Sequence, residues 1–157
     1  MREYPDGVRE PAGGKHVATP LLRCELARLI ASDQIGDLQV VVLRELGGAE
    51  RAFQMQVGFF EAAAIQSALS GERPLRPMTH DLLAAVTTAL GAGLKRLEVL
   101  DIRDEFGFGG TFFGALVFER GGGEARVDCR PSDGVALALR LGAEIWVAES
   151  VFEKLNL

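Results

Sequence analysis

Residues 127–140 read VDCRPSDGVALALR, and this stretch predicts a strand that passes directly into a helix. Arg130 precedes a proline, so its backbone is biased towards the extended conformation. Pro131 suits the first turn of a helix, where its missing N–H has no intrahelical partner to lose. The apolar continuation favours a helix that ends at Gly142. A strand followed at once by an apolar helix indicates a domain in which helices pack on a sheet.

The same two kinds of element recur along the rest of the chain. β-Branched or alternating runs predict strands, and the turn at Gly47-Gly48 joins two of them in a hairpin. Alanine- and leucine-rich runs predict helices. We expect strands at 21–31, 38–46, 51–57, 94–102, 111–119, 125–129 and 144–148, helices at 59–69, 79–90 and 135–141 (the last opened by Pro131), and a C-terminal helical turn. The fold class is therefore α+β, a mixed β-sheet with helices packed on it.

The sequence also predicts finer features of these elements. Thr79 is predicted as the N-cap of its helix, and a glycine-rich connection is predicted at 106–110. A strand, glycine turn, strand and helix run from 38 to 69 and again from 111 to 141, which indicates a ββα internal duplication or a coincidence of common elements. One apolar face of the first helix is predicted to contain Phe60, Ala64, Ile65, Ala68 and Leu69.

Length and composition fit one ordinary globular domain. The chain has 157 residues, of which 48% are hydrophobic and 25% charged, so a disordered or disulfide-built chain is excluded. Residues 1–18 are polar and predict a flexible N-terminal extension, which leaves 19–157 as the folded domain. No apolar run approaches the ~18 residues of a membrane span, and no signal peptide is recognisable, so a cytoplasmic location is expected.

The charge balance is acidic, and its cations are mostly arginine. The net charge is −5, with 14 arginines among the 17 basic residues, which argues against a nucleic-acid binder that works by bulk charge. Arginine is nevertheless the better bidentate partner for a phosphate or a carboxylate. Cys24 and Cys129 have no metal-ligand spacing and are expected to be reduced and to behave as small hydrophobes.

Polar residues concentrate where the three predicted helices begin. Acids at a helix start often act only as caps, because the free N–H groups and the dipole favour negative charge there. If the helices start on one side of the sheet, the same residues could bind a divalent cation and a phosphate. A histidine among them could act as general acid or base. The residues are Glu61, His80, Asp81, Asp128, Arg130 and Asp133.

At these residues the chain resembles the bifunctional nuclease domain family, formerly a domain of unknown function. The resemblance covers residues 21–151, and its most specific segments are GFFEA at 58–62, RPMTHDLL at 76–83 and VDCRPSDGVALALR at 127–140. The chain departs from the family pattern at Cys129 and Gly134, where the family usually has alanine, but no charged residue of the segments is missing.

The resemblance implies an α+β domain that forms homodimers and cleaves RNA, DNA or both. On this hypothesis Arg76 and Arg130 bind the scissile phosphate, and a Mg²⁺ or Mn²⁺ ion is held by Asp81, Asp128 and Glu61. The residues predicted to be catalytic are His80, Asp81, Asp128, Asp133 and Glu61.

A non-catalytic, dimeric binding or regulatory module is the rival hypothesis. It treats the same residues as helix caps and salt bridges at the corners of the fold. Geometry separates the two hypotheses. Carboxylates that converge on one point open to solvent favour the enzyme, and carboxylates paired with arginine or capped by backbone N–H groups favour the module.

Overall fold

The computed structural model describes residues 19–104 and 110–157. The predicted extension at 1–18 lies outside these residues, as does the predicted connection at 106–110 apart from Gly110. The strands are β1 (Leu21–Ile30), β2 (Gln39–Glu45), β3 (Ala52–Val57), β4 (Gly93–Arg103), β5 (Thr111–Arg120), β6 (Gly123–Cys129) and β7 (Glu144–Ala148). The helices are α1 (Phe59–Ser70), α2 (Thr79–Ala89), α3 (Pro131–Leu141) and α4 (Glu149–Lys154).

The seven strands form one sheet in the order β3-β2-β1-β7-β4-β5-β6. Strands β1 to β3 and β4 to β6 are two antiparallel meanders, and β7 lies between them, antiparallel to β1 and parallel to β4. One parallel pair makes the sheet mixed, so the predicted α+β class is confirmed, as is the β2–β3 hairpin. Each meander is followed by a helix, and the internal duplication stays a prediction.

The sheet curls strongly around its core. Phe53 of β3 and Phe112 of β5 stack with ring centroids 5.5 Å apart, although four strands separate them in the sheet order. Phe152 of α4 completes the contact, with its ring edge against Phe53 at 5.5 Å. A right-handed twist that accumulates over seven strands brings the two meanders together in this way. One face of the sheet therefore encloses a core into which α3 and α4 pack.

Helix α3 lies at the centre of that core because its inward side chains are small. The run from Val135 to Ala138 is buried. A Cβ at Gly134 would lie 2.4 Å from Cδ1 of Leu97, a fully buried β4 residue. The sequence indicates only that this glycine weakens the helix, whereas the structure adds a packing reason for its presence. Its close approach to β4 fixes the position of the helix start, and with it the polar residues before and after Pro131.

Two predicted details are wrong. Met78, not Thr79, is the N-cap of α2, and Thr79 is already helical; the cap contact comes from Asp81, whose Oδ2 accepts the Met78 N–H at 3.0 Å. On α1 the buried residues are Ala62 and Ile65, while Phe60 and Leu69 are 72% and 55% exposed. The cause is that α1 packs beside α3 along a narrow stripe, so the wider apolar face predicted from helical periodicity has nothing to cover it.

Within residues 19–104 and 110–157, no helix has the length and apolar character needed to cross a membrane.

Candidate functional site

The three polar segments meet at the start of α3. Nε2 of His80 lies 2.9 Å from Oδ1 of Asp133, and the other oxygen of Asp133 accepts a hydrogen bond of 2.8 Å from Nε of Arg130. Nη2 of Arg130 then reaches Oε1 of Glu61 at 2.6 Å. These four side chains, one from α1, one from α2 and two from the β6–α3 corner, form a continuous set of contacts that we call the polar chain.

Asp133 fixes the tautomer of His80. A carboxylate only accepts hydrogen bonds, so the contact requires the hydrogen of the neutral ring to be on Nε2 and leaves the lone pair on Nδ1. His80 is 9% exposed, and Nδ1 has no hydrogen-bond partner within the described parts of the chain. Since every fully buried side-chain nitrogen or oxygen of the described residues has a partner, Nδ1 retains some contact with solvent. The ring therefore presents a proton acceptor at the surface of the site.

Glu61 takes its position because residue 58 is a glycine. A Cβ at Gly58 would lie 2.0 Å from Oε2 of Glu61, so the carboxylate occupies space that any other residue at 58 would fill. This placement lets Glu61, whose side chain is 13% exposed, reach back to Arg130. Residue-by-residue reasoning did not single out Gly58, although it lies in the GFFEA segment that carries the resemblance.

Asp81 belongs to a different ion pair. Its Oδ1 accepts a 2.7 Å hydrogen bond from Nε of Arg140 in α3, and Nη1 of Arg140 donates to the carbonyls of Ala64 and Ala136 at 2.9 Å each. The Arg140 guanidinium, and after it the Met78 N–H, hold the pKa of Asp81 below its usual value, against a smaller opposing effect of burial. Arg140 thus joins α1, α2 and α3, a role that the sequence analysis missed.

Asp128 and Arg76 do not join the polar chain. Across the β5–β6 ladder Asp128 pairs with Ala115, while Cys129 pairs with Gly114, the position that faces Pro131 of α3. Because side chains alternate along a strand, Asp128 lies on the face of the sheet that is turned away from α3. It still borders the cavity described below. Arg76 is exposed in the loop between α1 and α2.

The acids predicted to bind a metal are therefore distributed over three places. Glu61 pairs with Arg130, Asp81 pairs with Arg140, and Asp128 lies on the edge strand. No group of three or more His, Cys, Asp or Glu side chains suited to a metal ion occurs among the described residues.

The polar chain is close to electrically balanced. With His80 neutral, the carboxylates of Glu61 and Asp133 exceed the one guanidinium by a single negative charge. Asp133 first, and then Glu61, raise the pKa of Arg130, which stays charged. The Arg130 side chain is 65% exposed, so it can exchange a carboxylate for a ligand oxygen without unfolding its surroundings. What the arrangement offers chemically is one exposed guanidinium beside one oriented imidazole.

A cavity of about 1090 Å³ adjoins the polar chain, between the helices and β5–β6. Its walls are mainly apolar, with aromatic rings of Phe60, Phe112 and Phe113 and the side chain of Leu83. Cys129 also borders it, and burial, with smaller effects of Asp128 and Asp133, raises the pKa of this thiol to about 12. Both cysteines are free. Cys129 is therefore a neutral part of the wall at physiological pH rather than a nucleophile.

Comparison with known proteins gives a family match. A family model described as "Bifunctional nuclease domain" matches residues 41–157, a range that contains all three polar segments. Two curated proteins of Mycobacterium tuberculosis, "Uncharacterized protein MT1877" of strain CDC 1551 / Oshkosh and "Uncharacterized protein Rv1829" of strain ATCC 25618 / H37Rv, are each 39% identical over 128 residues. The aligned region covers 82% of this chain and 73% of each relative. The names of these relatives state no activity.

Proposed function

Because the chain belongs to the bifunctional nuclease domain family, we propose that it hydrolyses phosphodiester bonds of RNA, DNA or both. The polar chain is the observation that carries this proposal, since it places an oriented imidazole next to an exposed arginine at a cavity large enough for a nucleotide. Imidazole is the side chain best suited to exchange protons near neutral pH, and a guanidinium matches the geometry of a phosphate.

The proposed reaction uses a water molecule as the nucleophile. Nδ1 of His80 accepts a proton from this water as its oxygen forms a bond to phosphorus, and the ester P–O bond on the opposite side breaks. The departing oxygen keeps the bonding electron pair and takes a proton from solvent. Arg130 turns from Glu61 towards the phosphate and neutralises the charge that develops on its oxygens. Asp133 holds the tautomer of His80 and stabilises the imidazolium that forms.

A divalent metal ion does not fit Asp81, Asp128 and Glu61 together, since two of them are neutralised by arginines and the third faces the other side of the sheet. No step of the proposed hydrolysis therefore passes through a metal. A Mg²⁺ or Mn²⁺ requirement stays a prediction, and the assay below includes both ions and a chelator. Asp128→Asn tests the metal prediction separately, because Asp128 is the one predicted ligand not paired with an arginine in the described structure.

The experiment that tests the proposal measures cleavage of labelled RNA and DNA oligonucleotides. We expect the wild-type protein to cleave at least one of them and Arg130→Gln to lower kcat/KM by about 100-fold, because the guanidinium contact exists in the transition state. Arg28→Gln removes an exposed arginine of β1 and is the matched control, expected to leave cleavage unchanged. Equal cleavage by wild type, Arg130→Gln and His80→Gln would identify a contaminating nuclease and refute the proposal.

A non-catalytic binding or regulatory module is the second candidate, and one observation favours it. Glu61, Asp81 and Asp133 are each paired with an arginine, as a purely structural role of these acids requires. This candidate predicts no cleavage of any oligonucleotide by the pure protein. It also predicts that the variants of the polar chain change only stability.

For either candidate we propose a homodimer in the cytoplasm, formed through α2. Leu82 and Val86 lie on one side of this helix and its C-cap Leu90 follows at the same spacing; they are 56%, 43% and 61% exposed, an apolar stripe of the kind that marks a protein–protein interface. We expect a solution mass of twice 16.9 kDa by sedimentation equilibrium and a monomer for Val86→Glu. Leu69→Glu places the same charge on α1 and serves as control. A dimer that survives Val86→Glu would remove α2 from the interface.

A further inference from the structure

We propose that the apolar cavity beside the polar chain binds nucleobases, so that the substrate is single-stranded nucleic acid. This inference rests on the proposed nuclease function and assigns a ligand to the walls of the cavity, which the hydrolysis itself does not use. Three properties of the described residues support it: the charge around the cavity, the aromatic rings in its walls, and the ion pairs that already occupy most of its charged groups.

Charge around the cavity excludes binding through phosphates alone. Arg130 and Arg140 are the cationic residues of its wall, and both already pair with carboxylates. Three acids border the same space, and the whole chain carries −5. Sequence-independent binding of a polyanion draws its affinity from several Lys or Arg side chains that release counterions. Since the described part of the cavity wall has no such set, the binding energy must come from another part of the nucleotide.

Aromatic rings supply that binding energy. Phe60 is 72% exposed at the cavity, and its ring meets that of Phe59 in an edge-to-face contact with centroids 5.4 Å apart. Phe112 and Phe113 also lie in the wall of the same cavity, although Phe112 has one ring face stacked on Phe53 and Phe113 has the Arg103 guanidinium over its ring. A base stacked on an aromatic side chain contributes affinity whatever its identity, because every base has a π-face. The rings therefore suit nucleobases of any sequence.

The stacking requirement selects single strands. In a duplex the base faces are covered by their neighbours, whereas unpaired bases can be splayed out onto protein side chains. The charged groups of the cavity wall, Asp128 apart, are already held in ion pairs. Its other polar groups include the hydroxyls of Ser67, Thr87 and Thr111, of which Thr87 already donates to the Ala84 carbonyl at 3.0 Å and offers only acceptor capacity. Groups that are already paired read little of a base edge, and sequence preference is expected to be weak.

An abasic probe separates base binding from phosphate binding. We would measure fluorescence anisotropy of labelled phosphorothioate 12-mers, which resist cleavage: oligothymidine, an abasic strand of the same length, and a duplex. Oligothymidine is expected to bind at least tenfold more tightly than the other two. Its affinity should depend weakly on salt, with a log–log slope shallower than about −2, because at most two phosphates are contacted. Equal binding of the abasic strand would overturn the inference.

A matched pair of variants tests the location of the site. Phe60→Ala should weaken binding of oligothymidine by about tenfold, the loss typical of one stacked base, and leave binding of the abasic strand unchanged. Leu69→Ala, on the same helix and exposed to a similar extent, should change neither. If Phe60→Ala alters the solution mass and not the binding of oligothymidine, the cavity is occupied by a second copy of the chain and the inference fails.

Failure of the inference can be told apart from failure of the proposed function. Base-dependent binding by a protein that cleaves nothing would support the nucleobase site and refute the nuclease. Cleavage that is equally fast on single strands and duplexes, without base-dependent binding, would support the nuclease and refute the nucleobase site.

Discussion

Replacing Arg140 with methionine lowers the free energy of unfolding by roughly 3 kcal/mol, the largest stability effect expected from one substitution near the site. The Arg140 side chain is 10% exposed and donates to Asp81 of α2, to the Ala64 carbonyl of α1 and to the Ala136 carbonyl of its own helix. Methionine keeps much of the apolar stem of the arginine. It removes the guanidinium that donates to Oδ1 of Asp81 and to the Ala64 carbonyl. The cost is that of unpaired polar groups rather than of lost volume.

Urea denaturation of both proteins measures this effect. Arg120→Met, the same substitution at an exposed arginine at the end of β5, should change the free energy of unfolding by less than ~0.5 kcal/mol. The double variant Asp81→Asn/Arg140→Met should be more stable than the sum of the single effects predicts, since it removes both members of the pair. Strictly additive effects would show that Asp81 and Arg140 do not interact.

The effect of Arg140→Met should also shrink in acid. The folded protein holds the pKa of Asp81 below its ordinary value of 3.8, so the stability from this pair is complete above that value and declines as the pH falls through the lower folded value. The difference between wild type and Arg140→Met is therefore expected to be constant at pH 5–7 and to narrow below pH 4. A difference that grew in acid would contradict the ion pair.

The elements of this fold were predictable because they depend on local sequence. Period-two and period-3.6 patterns, with glycines at the ends, place every strand and helix within a few residues. The failures arise where local sequence does not decide the packing. Periodicity identifies Phe60 and Leu69 as apolar, but whether a neighbour covers them depends on how α1 packs, and the neighbour is α3, which begins about 60 residues later.

The candidate site was predictable only in part, since Asp81, Asp128 and Arg76 were also expected in it and lie outside the polar chain. Glu61, His80, Arg130 and Asp133 were all expected to lie together, and they do. The Arg130–Asp133 pair is local, with a spacing of i,i+3, but the Arg130–Glu61 and Arg140–Asp81 pairs join residues 69 and 59 apart in the chain, and no spacing rule reaches across that distance. A signal for Arg140 does exist, since it is the one charged residue in the apolar stretch 134–142, and a charge in such a position needs a buried partner.

The register of one strand decided the position of Asp128. Its neighbour Cys129 faces α3, so the period of two directs Asp128 to the other face. The sequence does not show at which residue β6 ends, because strand ends are uncertain by one or two residues. The residue at which the alternation of side chains between the two faces stops is therefore not predictable. A shift of one residue would have exchanged the two side chains and placed the acid in the polar chain.

Asp133→Asn has the largest expected effect on activity, a loss of 10²- to 10⁴-fold in kcat. The carboxylate accepts from Nε2 of His80 and from Arg130, which fixes the hydrogen on Nε2 and leaves Nδ1 as the base. An amide at this position can donate as well as accept. Donation to Nε2 would put the hydrogen on Nδ1, where it blocks the proton transfer, and a neutral side chain no longer stabilises the imidazolium.

Kinetics distinguish this positioning role from a structural one. We expect Asp133→Asn to lower kcat far more than it raises KM, because the tautomer of His80 governs proton transfer and not the binding of substrate. Asp33→Asn, at an exposed turn between β1 and β2, is the control and should match wild type. A kcat reduced only in proportion to the unfolded fraction would show that Asp133 merely supports the corner. The acids at the start of α3 would then be caps and salt bridges, and the binding-module candidate would account for them.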